Sequence, residues 1–106
     1  MTGSRWVDVF AFDELEEDIP QGVFAEEQYI TLFRIGEMVY ATAGFCTHEV
    51  ADLCDGYVED DIIECPLHQA RFHIPTGKVL CAPADKDLAV YPAESRNGRV
   101  FVQLAP

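Results

Sequence analysis

The chain has 106 residues, 49% of them apolar, and sets 19 Asp or Glu against 7 Lys or Arg for a formal charge of −12. One domain with a real core fits that length and composition. Nucleic acid is excluded as a partner, because phosphate needs a basic face.

The start, Met1-Thr2-Gly3-Ser4-Arg5-Trp6, has no charged segment leading into an apolar run. Neither a signal peptide nor a membrane span is expected, and a cytoplasmic location follows. Trp6 to Phe10 alternates and predicts an opening strand. Residues 12–18, rich in Asp and Glu, read as an acidic helical turn or loop with a solvated face. Gln28 to Ile35 and Met38 to Thr42 flank Gly36-Glu37, a two-residue hairpin turn of the type with Gly first. Asp55-Gly56 marks a turn before a strand at Tyr57-Val58. Ile62 to Cys65 and Arg71 to Ile74 read as strands, and Pro75-Thr76-Gly77 as a further turn. Leu88 to Tyr91 and Arg99 to Leu104 are expected to pair last, with Asn97-Gly98 as a type I′ turn. Trp6, Phe10, Phe33, Tyr40 and Phe101 read as core or sheet-face aromatics. No long amphipathic helix appears, so the fold class is all-β.

Between these strands lie Cys46-Thr47-His48 and, sixteen residues on, Cys65-Pro66-Leu67-His68. Two thiolates and two imidazoles, each pair on one short loop, form a metal-ligand set. Thiolates stabilise ferric iron, and neutral imidazoles tolerate ferrous iron. A [2Fe–2S] cluster with two Cys on one iron and two His on the other is therefore polarised, with the electron on the His side. Neutral ligands also raise its potential above that of an all-Cys cluster. The same four residues could instead hold one zinc ion, although zinc sites usually open with two Cys. Colour separates the readings, since the iron cluster is red-brown and zinc is colourless.

The two boxes resemble the ligand boxes of Rieske iron–sulfur proteins. Asp55-Gly56-Tyr57-Val58-Glu59, Glu64 to Gln69, Thr76-Gly77-Lys78 and Cys81-Ala82-Pro83 are similar to the Rieske ferredoxins of bacterial aromatic-ring dioxygenases, especially the naphthalene type. The resemblance spans about residues 28 to 104. It implies a basal antiparallel β-sandwich or incomplete barrel, built from residues 1–42 and 85–106, with a small cluster-binding lobe at about 43–84. It implies one [2Fe–2S] Rieske cluster held by Cys46, His48, Cys65 and His68, with each histidine binding through Nδ1. Pro83 matches the stiff apolar loop that covers the cluster in this family.

This chain departs from the respiratory Rieske proteins in several places. Those carry a Ser and a Tyr hydroxyl after the second His, where Ala70 and Phe72 stand here. Their loop-joining disulfide would fall at Ala51 and Leu67. Fewer donors leave the reduced cluster less stabilised, so a potential of about −150 mV is expected, and a value above about +100 mV would contradict this. Cys54 and Cys81 lie outside the ligand set and are expected as free thiols. His73 reads as an ordinary strand or surface histidine, and Gln69 and Arg71 as solvated or partner-facing.

The resemblance implies a soluble, monomeric one-electron carrier. It would take electrons from a flavin-containing, NAD(P)H-dependent ferredoxin reductase and pass them to a terminal oxygenase that hydroxylates an aromatic substrate. The chain itself is then no enzyme: with His48 and His68 committed, the one remaining His cannot build a two-His, one-carboxylate iron site. No phosphate-cradling glycine motif appears, so it binds neither nicotinamide nor flavin. The rival readings are a Rieske domain or subunit of an oxygenase itself, and a zinc-binding or structural module. The final strand before Leu104-Ala105-Pro106 favours the independent carrier.

Overall fold

The computed structural model describes residues 5–47, 51–67, 69–82 and 84–104. Among these residues, eleven strands run β1 (Arg5–Ala11), β2 (Gln21–Ala25), β3 (Gln28–Ile35), β4 (Met38–Ala43), β5 (Tyr57–Glu59), β6 (Ile62–Glu64), β7 (Arg71–His73), β8 (Val79–Cys81), β9 (Val90–Tyr91), β10 (Ala93–Arg96) and β11 (Arg99–Leu104). Single 3₁₀ turns stand at Phe12–Glu14 and Leu53–Asp55. The strands form three sheets, ordered β1-β11-β10, β2-β3-β4-β9 and β5-β6-β7-β8, with every strand pairing antiparallel. The all-β expectation holds.

Strand periodicity explains how these sheets stack. In β11, Val100, Val102 and Leu104 point one way and are buried. They meet Leu15, Ala25, Ile30, Leu32, Val39 and Ala41 in one core. β3 is buried on both faces across residues 30–33, Thr31 included. Its even positions, Ile30 and Leu32, enter that first core. Its odd positions, Phe33 and Ile35, turn to a second core with Leu53, Ile63, Phe72, Ile74 and Leu88. The period of two in a strand produces this division, and it fixes the β5–β8 sheet against the opposite face of β3. Burying a side chain the size of Phe72 is worth roughly 2–3 kcal/mol.

The turns follow local backbone chemistry. Gly36 takes φ +63 at the β3–β4 hairpin, as the Gly-first turn requires. Asn97 and Gly98 both have positive φ, which is the type I′ geometry. Strand β2 escaped the sequence reading because its turn to β3 uses Glu26 at φ +59, where no Gly or Asn signals a reversal.

One expected pairing is corrected. The Leu88–Tyr91 segment does not pair with Arg99–Leu104: β9 instead pairs with β4, Ala41 opposite Tyr91 and Thr42 opposite Val90. The two-residue Asn97-Gly98 turn folds Ala93–Arg96 directly back over β11, giving Ala93 opposite Val102 and Arg96 opposite Arg99. Pro92, without an N–H, separates β9 from β10. Trp6 is a sheet-face residue, 39% exposed, with the Arg96 guanidinium 6.0 Å from its ring. Phe33 is fully core, while Phe10, Tyr40 and Phe101 are half-buried.

Candidate metal centre

Two loops carry the cysteines, and both close in the same way. The Cys46 N–H donates to the Ala51 carbonyl at 3.0 Å, and the Cys65 N–H donates to the Ala70 carbonyl at 2.7 Å. In each case the closing carbonyl lies five residues beyond the cysteine. The first loop is anchored by β4 behind it and the 3₁₀ turn at Leu53–Asp55 after it, where Leu53 N–H donates to Gly44 O at 2.9 Å. The second connects β6 to β7, whose pairing sets Glu64 opposite Arg71 and Ile63 opposite Phe72. Gln69, at φ +61, reverses the chain within it.

Cys46 and Cys65 are 6% and 1% exposed and belong to one core, together with Ala51, Ala70 and Phe72. The Leu67 N–H points at the Cys65 sulfur, 3.5 Å away. A sulfur that receives an N–H in an apolar, water-poor setting suits a metal-bound thiolate. The donor chemistry of the described residues therefore fits a thiolate-ligated cluster. His48, His68 and Pro83 lie outside the described residues.

Other residues singled out in the sequence fall around the loops. Ala70 and Phe72 are fully buried and bring no hydroxyl. Leu67 is 43% exposed, and Ala51 is buried. Cys54 and Cys81 are thiols without a disulfide. Arg71 pairs with Glu64 at 3.1 Å, beneath the second loop. His73 stands on β7 with its ring between Thr76 Oγ1 at 2.8 Å and Asp61 Oδ2 at 3.0 Å, tying two turns together.

Tyr29 and Asp52 went unnoticed in the sequence. Tyr29, on β3, donates its hydroxyl to Asp52 Oδ2 at 2.6 Å, just beyond the first loop. The other Asp52 oxygen accepts the Cys54 N–H at 3.0 Å and caps the 3₁₀ turn. Burial pushes the Tyr29 phenol above its ordinary value, and the bonds to Asp52 and Cys54 push the same way. Burial would raise Asp52 too, but hydrogen bonds from Tyr29 and Cys54 outweigh it and leave the carboxyl below its ordinary value. Burial, then Asp52, raise the Cys54 thiol. No sequence signal joins Tyr29 to Asp52, because 23 residues separate them.

Fold and loops together define a small all-β protein with two matched cysteine loops over a shared core. Residues 5–92 match the Rieske [2Fe–2S] domain. The chain is 40% identical over 101 residues to the ferredoxin component of the naphthalene 1,2-dioxygenase system of Pseudomonas putida, covering 95% of this chain and 97% of that protein. Among solved structures, a ferredoxin of Sphingomonas yanoikuyae B1 superposes with a TM-score of 0.88 at 28% identity, covering 94% of this chain and 99% of that one. A chain from the complex of reduced oxygenase and oxidized ferredoxin in carbazole 1,9a-dioxygenase gives 0.85 at 32% identity, covering 92% and 91%. The chain belongs to the Rieske [2Fe–2S] domain family. Among the described residues, no helix is long and apolar enough to cross a membrane.

Proposed function

We propose that this chain is the ferredoxin component of an aromatic-ring dioxygenase system, a soluble, cytoplasmic, monomeric carrier. It takes single electrons from a flavin-containing, NAD(P)H-dependent reductase and delivers them to a Rieske terminal oxygenase. The observation that carries this reading is the matched pair of closed loops, each presenting a buried cysteine to one core. Similarity to a ferredoxin component over nearly its full length favours the carrier over an oxygenase domain.

We assign Cys46, His48, Cys65 and His68 as the ligands, with residues 1–106 as one domain and the cluster lobe at about 43–84. When bound, the cluster supplies a reversible one-electron couple. The chain's own residues hold and shield it. Cys46 and Cys65 offer thiolates from a buried position, and the Leu67 N–H steadies the sulfur charge at Cys65. Ala70 and Phe72 exclude water without adding a hydroxyl donor, in keeping with a potential near −150 mV, the low end for such clusters at about −150 to +300 mV. His48 and His68, ligated through Nδ1, keep an N–H to offer an incoming partner.

Replacing His48 or His68 by Ala tests the ligand set. Each variant loses the visible spectrum of the intact cluster and all transfer from reductase to oxygenase. Retained transfer in either variant removes that histidine from the set.

A further inference from the structure

The base of the first cysteine loop is tied to the sheet by one side chain. The Tyr29 ring lies in a space kept open by two glycines: a Cβ on Gly22 would sit 2.0 Å from its hydroxyl oxygen, and one on Gly44 would sit 2.3 Å from its Cδ2. Phe24 and Phe45 flank the ring, with centroids 5.0 and 5.2 Å away. Phe45 directly precedes Cys46 and bridges antiparallel to Asp52. The Tyr29 carbonyl accepts the Gly44 N–H at 3.1 Å, and its hydroxyl reaches Asp52 at 2.6 Å. One residue of β3 thus grips both limbs of the loop, at Gly44 on the way in and Asp52 on the way out. The hydroxyl is half-buried and bonded to a carboxylate, where a charge-assisted hydrogen bond is stronger than a neutral one.

We propose that Tyr29 is a positioning residue for the metal centre: through Asp52 it fixes the base of the Cys46 loop and so sets how firmly, and in what geometry, that loop holds its share of the cluster. The proposal rests on the cluster reading above. It assigns the clustered aromatics around Tyr29 to holding the loop in register with β3. Phe at position 29 would keep the ring in its cradle and remove only the hydroxyl, with its contacts to Asp52 and Cys54.

Purified, cluster-loaded wild type, Tyr29→Phe, Asp52→Ala and the double variant give the test, with Tyr57→Phe, an exposed tyrosine, as control. The readouts are the rate of cluster bleaching in excess chelator and the electron paramagnetic resonance line shape after reduction. Tyr29→Phe bleaches about fivefold faster or more, the equivalent of one lost hydrogen bond, and Asp52→Ala, which also gives up the Cys54 N–H, bleaches at least as fast. Both shift the line shape, the double variant adds little to either, and Tyr57→Phe matches wild type. Bleaching at the wild-type rate, or an unaltered line shape beside a lower melting temperature, overturns the positioning role. Should Tyr29→Phe not accumulate as folded protein, Asp52→Ala decides by the same readouts. Wild type that carries no iron and sulfide overturns the cluster reading, and the proposal with it. A loaded wild type whose variants match it overturns the proposal alone.

Discussion

Individual side chains around the first loop divide the work between sulfur chemistry and mechanical support. Cys46 is buried, while Tyr29, Asp52 and Cys54 form a polar knot behind it. That knot carries a pH signature. The phenol's ordinary value is about 10, and its folded value lies above that. A group whose folded value is raised contributes stability that is fully present below its unfolded value and is lost as pH rises above it. The stability difference between wild type and Tyr29→Phe should therefore hold steady from pH 7 to about 9 and shrink above about 10. Denaturant titrations at stepped pH read it, and a difference that stays flat through about pH 11 would count against the Tyr29–Asp52 bond. Asp52 carries the opposite sign. Its lowered value contributes stability present at neutral pH and lost only as pH falls below the ordinary carboxylate range, about 3.9. Cys46 and Cys65 stood out in the sequence by their spacing to His48 and His68, because metal chemistry demands soft donors at close intervals. Tyr29 was not, because a hydrogen bond between residues distant in sequence leaves no local pattern.

Among the elements, the reliable signals were those with stereochemical compulsion. Gly36 and Asn97-Gly98 demand positive φ and were placed correctly as turns. Both strands beside Gly36 were read from the sequence, but beside Asn97-Gly98 only Arg99–Leu104 was, and β10 was missed. What misled was partner choice. Leu88 to Tyr91 is apolar enough for a strand, but which strand it joins depends on Pro92 and on the tight Asn97-Gly98 reversal. Strand β2 was silent because Glu26 fills a left-handed position that sequence rules reserve for Gly or Asn. Gly77 shows the same principle at the edge of the β5–β8 sheet. At φ +76 its missing Cβ would lie 2.2 Å from the Leu88 carbonyl, while its own carbonyl accepts the Leu88 N–H at 2.7 Å. Neither backbone atom can yield without breaking that link between the β7–β8 turn and the approach to β9. Gly77→Ala should destabilise by about 2–4 kcal/mol, from the left-handed penalty plus overpacking. Chemical denaturation measures this, and a loss under about 0.5 kcal/mol would mean the turn relaxes freely.

Viewed whole, the molecule is a two-core β assembly with a strong negative field. The sheets β1-β11-β10 and β2-β3-β4-β9 enclose one core, and β3 shares the second with the sheet that carries the Cys65 loop. A charge of −12 on 106 residues exceeds what solubility alone requires, and it fits steering toward basic patches on redox partners. Reduction by the proposed reductase should then slow severalfold between about 10 mM and 0.15 M salt, as the Debye length falls from about 30 to 8 Å. A salt-independent stopped-flow rate would confine the acidic surface to solubility. The cysteine loops, the core beneath them and the acidic surface all bear on the proposed paired-iron centre. The direct measurement is iron, zinc and acid-labile sulfide content of natively produced protein, with a resonance spectrum after reduction. Iron and sulfide are expected in equal amounts, about two of each per chain, with a one-electron signal from a nitrogen-ligated iron. One zinc per chain, or iron without sulfide, would contradict it.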